Sequence, residues 1–321
     1  MLKVVVVTVT FNSSNYLLRL IQSLKNQTYP IYKIIVVDNN SNEEHRNIIK
    51  NLKDENGELI DIVWLQDNTG GAGGFAAGMK RMQDSYKADW MWIMDDDAFP
   101  TENCLEKLLE GANQLDNIGF VAPLIYGVEN KRYQLYHHKM FNGNLIEATR
   151  PIKDISDING KVEIEANAFV GPLFPVSVVN DMGIAKAGLF IYGDDTEFTY
   201  RITRKYKGYV IGNAVINHRD PGIAGNNFSN PKAWWKDYYE IRNNVLFIKE
   251  FAFNNVEKYK YETILLGNII KKIVKVIIKN EYKGYRSLRI RLLLKAYNDG
   301  LHEVYGKTID PVKYAKYVEG E

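Results

Sequence analysis

Cysteine is nearly absent from this chain: Cys104 stands alone among 321 residues. A single thiol excludes an intramolecular disulfide framework and fits a reducing compartment. Long apolar runs are missing too. No stretch reaches the roughly 18–20 uninterrupted apolar residues of a spanning helix. The first dozen residues lack the charged, hydrophobic and small-residue regions of a secretory signal. The expectation is a cytoplasmic protein. Charge of one sign is not in excess either. Lys and Arg number 41 against 39 Asp and Glu, a net charge of +2, so no nucleic-acid partner is expected. Two phosphate-binding signatures are absent. The segment Gly70-Gly71-Ala72-Gly73-Gly74 is out of register for Gly-x-Gly-x-x-Gly, and no Gly-Lys-Ser or Gly-Lys-Thr follows it, which disfavours a dinucleotide site or a Walker loop. No Cys/His or Ser/His arrangement suggests a covalent intermediate. Repeats and low-complexity segments are lacking.

What is present is alternation. Residues 4–9 are a run rich in Val, as expected of a strand buried on both faces. Asn12 to Asn15 suits a helix start, and Tyr16, Leu17, Leu20, Ile21 and Leu24 recur at helical spacing until Tyr29-Pro30. Residues 33–37, 60–65 and 90–94 read as strands. Residues 43–52 read as a helix, and so do residues 75–86 after the glycine segment. This order predicts an α/β fold with a doubly wound, mostly parallel sheet. Residues 129–165 are polar and suggest a hairpin or flap. Residues 189–193 read as a short strand or turn, 198–206 as a helix and 209–217 as a strand. From Pro231 onward the pattern is helical. A division follows: a catalytic domain over residues 1–228 and a C-terminal helical region over 229–321.

Polar clusters fall at the ends of the expected strands: Thr8 to Asn12, Asp38 to Asn40, Asp67 to Gly74, and Asp95-Asp96-Asp97. In a parallel sheet these ends share one edge, where open α/β folds bind ligands. Three adjacent carboxylates repel one another unless a cation joins them, and a divalent ion carrying a diphosphate meets that need. Because alternate residues of an extended segment face opposite sides, Asp95 and Asp97 are candidates for the metal and Asp96 for the ribose. His218, also at a strand end, is a candidate nitrogen ligand, since Mn²⁺ accepts imidazole. Asp194-Asp195 either caps a helix or supplies a general base that takes a proton from a sugar hydroxyl.

The segments VVVVTVTFN, IIVVDNNS, LQDNTGGAGGF, WIMDDDA and FIYGDDTEFTYR followed by INH, with a weaker tail in WWKDYYEIRNN and AYNDGLHEVYGK, resemble the inverting glycosyltransferases of family 2, which have the GT-A fold. The Asn-Thr-Gly-Gly-Ala-Gly-Gly-Phe stretch with Asp-Asp-Asp is similar to the galactofuranosyltransferase and rhamnosyltransferase branch. The resemblance implies that Thr10, Phe11 and Asn12 border the base and that Asp38 binds uracil or ribose. It implies that Asn68 and the glycines, Gly71 and Gly73 among them, line the nucleotide-sugar cleft. Asp95, Asp97 and His218 would hold Mn²⁺ or Mg²⁺, Asp96 would touch the ribose or donor sugar, Asp195 would be the base with Asp194 beside it, and Trp234 and Trp235 would flank the acceptor or simply pack an interface. The implied donor is UDP-galactofuranose, with dTDP-rhamnose the alternative. The implied acceptor is a glycan or a polyprenyl-diphosphate-linked glycan. A catalytically silent binding module is the reading from another class.

Residues 257–295 carry eleven Lys or Arg against three Glu. Leu265, Leu266, Ile269, Ile270, Ile273, Val274, Ile277 and Ile278 make an apolar stripe at helical spacing, with Lys271, Lys272, Lys275 and Lys279 on the remaining face. Such a helix either lies on an anionic membrane surface or packs on the catalytic domain.

Overall fold

Six of the seven residues of Val4–Thr10 (β1) are buried, and alternate residues feed different cores. Val4 and Val6 join one apolar cluster, Val5 and Val7 the other. That is the signature of a strand covered on both faces. The computed structural model describes residues 1–158, 160–219 and 230–319. In chain order α1 (Ser14–Lys25), β2 (Lys33–Asp38), α2 (Glu43–Asn56), β3 (Ile60–Trp64), α3 (Gly70–Ser85) and β4 (Trp90–Asp95) follow β1. The pairs β1–β2, β2–β3 and β1–β4 are all parallel.

The second half of the sheet is mixed. It uses β5 (Ala98–Pro100), β6 (Ile118–Gly127) after α4 (Cys104–Ala112) and the short β7 (Arg132–Tyr133), whereas β8 (His138–Lys139) pairs with Ala166–Asn167 in a separate two-stranded sheet. Then come β9 (Lys161–Ile164), β10 (Ala166–Asn167), β11 (Val170–Pro175), α5 (Val176–Met182), α6 (Asp194–Thr203) and β12 (Lys207–His218). The order is β3-β2-β1-β4-β11-β6-β12-β5. β11 runs antiparallel to both β4 and β6, and β12 runs parallel to β6. Two reversals restore the direction, so β1, β2, β4, β6 and β12 all end at one edge. The expected mostly parallel sheet is present, with β11 as an antiparallel insertion.

Two compact units divide the chain. The first holds residues 1–140, 149–187 and 194–221; the second holds 141–148, 188–193 and 222–321. The division therefore interleaves, and the single cut expected at 228/229 lies outside the described residues. The second unit contains α7 (Trp235–Phe251), α8 (Asn255–Ile278), α9 (Arg286–Leu301) and α10 (Pro311–Glu319). α8 packs on α7 and α9. No described helix is long and apolar enough to cross a membrane.

One local expectation is corrected, and one alternative is decided. The glycine segment is not a loop before a helix: α3 begins at Gly70 itself. Gly74 in the segment and Gly78 beyond it let the helix approach the sheet. A Cβ at Gly74 would stand 2.5 Å from Val9 Cγ1, and one at Gly78 2.4 Å from Val7 Cγ1. Of the two alternatives for residues 189–193, the structure has the turn and not the strand. Phe190 and Tyr192 both sit at φ of 65°, and the turn is held within its unit by α7. Asn243 Nδ2 donates to the carbonyls of Leu189 (3.0 Å), Ile191 (2.9 Å) and Tyr192 (2.7 Å).

Candidate active site

After β4 the chain turns at Asp96-Asp97 into β5, which runs back antiparallel to β12 and sets Ala98 opposite His218. The Asp97 carbonyl also accepts from the Arg219 N–H at 3.2 Å. Asp97 and His218 are thereby fixed side by side, with His218 Nε2 3.5 Å from Asp97 Oδ1. Asp95, Asp97 and His218 each offer one ligand atom, and the three atoms lie within 4.8 Å of one another. Two carboxylate oxygens and one imidazole nitrogen suit Mn²⁺ or Mg²⁺; the residues present fit such an ion.

The electrostatics agree with that fit. Burial pushes the Asp95 carboxyl well above the usual carboxylate range, and the charges of Asp97, Asp96, Asp194 and Asp195 push it further. Asp96 is raised to about 7 by burial, while the hydroxyls of Thr10 and Ser13 pull the other way. Asp194 is raised to about 7 by burial and then by Asp195. Like charges this close resist joint ionisation, and a cation among them removes the repulsion. The two acidic clusters, 95–97 and 194–195, are thus brought together by the fold.

Asp194 and Asp195 open α6, where their charge also favours the helix N-terminus. Asp194 is buried, whereas Asp195 is half-buried. Asp195 Oδ1 accepts from the Thr196 N–H (2.5 Å) and hydroxyl (3.0 Å). Lys139 Nζ in turn donates to Thr196 Oγ1 at 2.7 Å. A cation is thereby tethered one side chain away from Asp195.

The remaining candidates separate into two groups. Phe11 is 46 % exposed at the edge. Asn12 adopts φ of 52°, and its Oδ1 accepts from the Asn42 N–H at 2.8 Å. Thr10 is buried, paired in register with Asp38. Asp38 is fully buried, its Oδ2 bound by Arg46 Nε at 2.7 Å and its Oδ1 by the Ser41 N–H at 3.2 Å. It holds its turn from inside and presents no oxygen to the edge. Asn68 Oδ1 accepts from the Gly70 N–H at 2.9 Å and so starts α3. Gly71 faces open space, whereas a Cβ at Gly73 would meet Thr69 Oγ1 at 2.4 Å. Trp234 is 1 % exposed, with Tyr282 5.8 Å away and Arg289 over its ring at 4.9 Å. A ring so enclosed offers no face to an acceptor, so the interface-packing alternative describes it. Trp235 is half-buried and packs on Tyr239 at 6.2 Å.

Sequence reasoning missed Lys139, Gln134, His137 and Asn39. Asn39 accepts from the Thr69 N–H at 2.9 Å and donates to the Gly70 carbonyl at 3.0 Å, tying the end of β2 to the start of α3. Its place in the IIVVDNNS cluster was the available signal. Lys139, Gln134 and His137 sit in a polar segment with no period, and nothing local marks them.

Comparison with known proteins follows from this geometry. The family model described as glycosyl transferase family 2 matches residues 5–173. A galactofuranosyltransferase of Mycolicibacterium smegmatis, GlfT1, is 27% identical over 176 residues, covering 53% of this chain and 55% of that protein. The matched region thus spans about half the length of that relative. The poly(ribitol-phosphate) β-N-acetylglucosaminyltransferase TarP of Staphylococcus aureus is 28% identical over 289 residues, covering 85% of this chain and 82% of its own. Among solved structures, S. aureus TarS 1-349 superposes with a TM-score of 0.56 at 16% identity, covering 92% of this chain and 81% of that one. At that identity the likeness speaks for the fold alone.

Proposed function

The chain belongs to glycosyl transferase family 2, and from that premise we propose that it moves galactofuranose from UDP-galactofuranose, with inversion, onto a hydroxyl of a glycan or a polyprenyl-diphosphate-linked glycan. The observation that carries the reading is the gathering of Asp95, Asp97 and His218 within 4.8 Å beside Asp194 and Asp195 at one sheet edge. Mn²⁺ or Mg²⁺ held there would neutralise charge growing on a departing diphosphate.

The chain's own residues would do the rest. The acceptor oxygen attacks the anomeric carbon, the bond from that carbon to the diphosphate oxygen breaks, and the acceptor proton passes to Asp195. Asp195 suits this role better than Asp194 because it is the more exposed of the two. Lys139, through Thr196, holds the Asp195 carboxylate in place. Phe11 and Asn12, at the exposed end of β1, would border the base, and Gly71, with open space before it, would line the sugar cleft.

The donor assignment is supported by the named activity of the mycobacterial relative. The longer coverage by TarP favours a second donor, UDP-N-acetylglucosamine. A thermal-shift and hydrolysis panel of UDP- and dTDP-sugars with Mn²⁺ decides between them, since a ligand bound only by the folded state raises the melting temperature by mass action. UDP-galactofuranose should give the largest shift and the fastest turnover. A larger response to UDP-N-acetylglucosamine or dTDP-rhamnose replaces the donor, and no response to any nucleotide sugar removes the reading.

The expected membrane contact has structural support in α8. Its apolar stripe serves two faces. Ile269 and Val276 are buried in the helical unit, while Ile270, Val274, Ile277 and Ile278 are 52%, 47%, 53% and 71% exposed. Exposed Lys271, Lys275 and Lys279 run beside the second face. An apolar row flanked by lysines fits an anionic lipid surface, where a lipid-linked acceptor would reside.

A further inference from the structure

We infer that Gln134 is a positioning residue that fixes the imidazole of His218 as a metal ligand, an inference that rests on the Asp95–Asp97–His218 metal reading above. An imidazole binds a cation through the ring nitrogen that carries no proton, and a hydrogen bond at the other nitrogen selects that tautomer. His218 presents Nε2 to Asp97 and turns Nδ1 to Gln134 Oε1, 2.8 Å away. A carbonyl oxygen accepts and cannot donate. Nδ1 therefore carries the proton, and the Nε2 lone pair is left facing the carboxylates.

The same oxygen also lies 3.2 Å from His137 Nε2, so its two lone pairs serve two imidazoles. Gln134 is itself firmly placed. It is 1 % exposed, its N–H donates to the Ile125 carbonyl at 2.8 Å, and β12 sets His218 in register with Gly127. Donor and acceptor thus hang from the same strand, β6. Gly127 keeps the space open, because a Cβ there would stand 2.8 Å from Gln134 Nε2. The amide nitrogen of Gln134 is buried with no hydrogen-bond partner. The carbonyl end is the half that acts.

The test uses the full chain and Mn²⁺ with UDP as probe, reading free Mn²⁺ by electron paramagnetic resonance at pH 8. Gln134→Met, close in volume, should weaken Mn²⁺ binding about 10- to 100-fold. Gln134→Glu, which keeps an acceptor oxygen, should bind Mn²⁺ nearly as the parent does. Parent-like affinity in Gln134→Met overturns the inference, and equal loss in both variants does the same. Asp97→Asn and His218→Ala separate this from the metal reading. If both lose Mn²⁺ while Gln134→Met keeps it, only the role of Gln134 falls. If the parent binds no Mn²⁺, or those two variants bind like the parent, both fall. A second measurement needs no variant at position 134. In protein labelled with ¹⁵N-histidine, the His218 resonance, identified by its absence from His218→Ala, should show the Nδ1–H tautomer without metal. The Nε2–H tautomer would overturn the inference.

Discussion

In the helical unit Arg242 is fully buried, yet its nitrogens donate to Asn243 Oδ1 (2.9 Å), the Gly306 carbonyl (2.7 Å) and the Leu189 carbonyl (2.8 Å). Asp299, 6 % exposed, receives Lys295 Nζ at 2.6 Å and the Tyr238 hydroxyl. In the sheet unit Asp95 feels the charges of Asp97, Asp96, Asp194 and Asp195, Asp96 that of Asp97, and Asp194 that of Asp195 and Glu197. Paired buried charge holds a fold together, since removing one partner exposes the full desolvation cost of the other. Like charge gathered with no direct ion pair among the described residues at Asp95, Asp96 and Asp194 does the opposite: it is a standing cost that a ligand relieves. The first arrangement is architecture, and the second is the one on which the proposed metal reading rests.

Asp195→Asn should break the sheet unit's side of this contrast most severely. The loss of a positioned base lowers turnover by roughly 10²–10⁴-fold, with UDP affinity, measured by calorimetry, nearly unchanged. Equal loss of both would make Asp195 a structural residue. Next, Asn243→Ala leaves the Ile191 and Tyr192 carbonyls without the Asn243 donor and the buried Arg242 Nε without its acceptor, and should cost about 3–4 kcal/mol by urea denaturation. A loss below 1 kcal/mol would show that the turn holds itself.

His138 gives a slightly smaller effect and a definite sign. Burial lowers its pKa from 6.5 to about 4, with Asn167 Oδ1 at 2.7 Å pulling back. The unfolded chain therefore binds the extra proton first. The contribution to stability is complete above pH 6.5, falls as pH drops toward 4, and amounts to about 3 kcal/mol across that window at 1.36 kcal/mol per pH unit. The raised carboxylates of the site act in the opposite direction over the same range, so the check is a difference: parent minus His138→Leu, unfolded by urea at pH 7 and pH 4. A pH-independent difference would refute the assignment.

Within the glycine run, Gly74→Ala should cost about 1–3 kcal/mol by overpacking against Val9, while Gly71→Ala should leave the melting temperature nearly unmoved. Similar costs at both positions would contradict the packing account of α3. The smallest effect belongs to α8. Ile270→Ser with Ile277→Ser should change stability by no more than about 0.5 kcal/mol, as surface substitutions do, yet reduce flotation with anionic vesicles at low salt. Undiminished flotation would discard the membrane face.

Much of this architecture was readable before folding. The Val-rich run at 4–9, the apolar 90–94 run closed by three aspartates, and the order of strands and helices each rest on short-range periodicity, and each element appears where that periodicity places it. The glycine segment carries a turn pattern, yet it opens a helix, and Gly74 in it and Gly78 beyond it are where that helix approaches Val9 and Val7. Asp38 looked like an edge carboxylate until Arg46, in the first turns of α2, took it inward. The stripe on α8 was visible, but not that Ile269 and part of Ile273 go into the helical unit's own core while Ile270, Val274, Ile277 and Ile278 stay exposed.

The amino-acid order by itself determined the strands, their polar ends and the acidity of one sheet edge, because side-chain period and turn chemistry act over a few residues. Only the tertiary structure decided which groups meet there. β5 doubling back on β12 sets His218 against Asp97, and the end of β6 sets Gln134 behind His218, through hydrogen-bond registers between segments far apart in the chain. No local pattern encodes a register of that kind; it emerges when two buried faces must coincide.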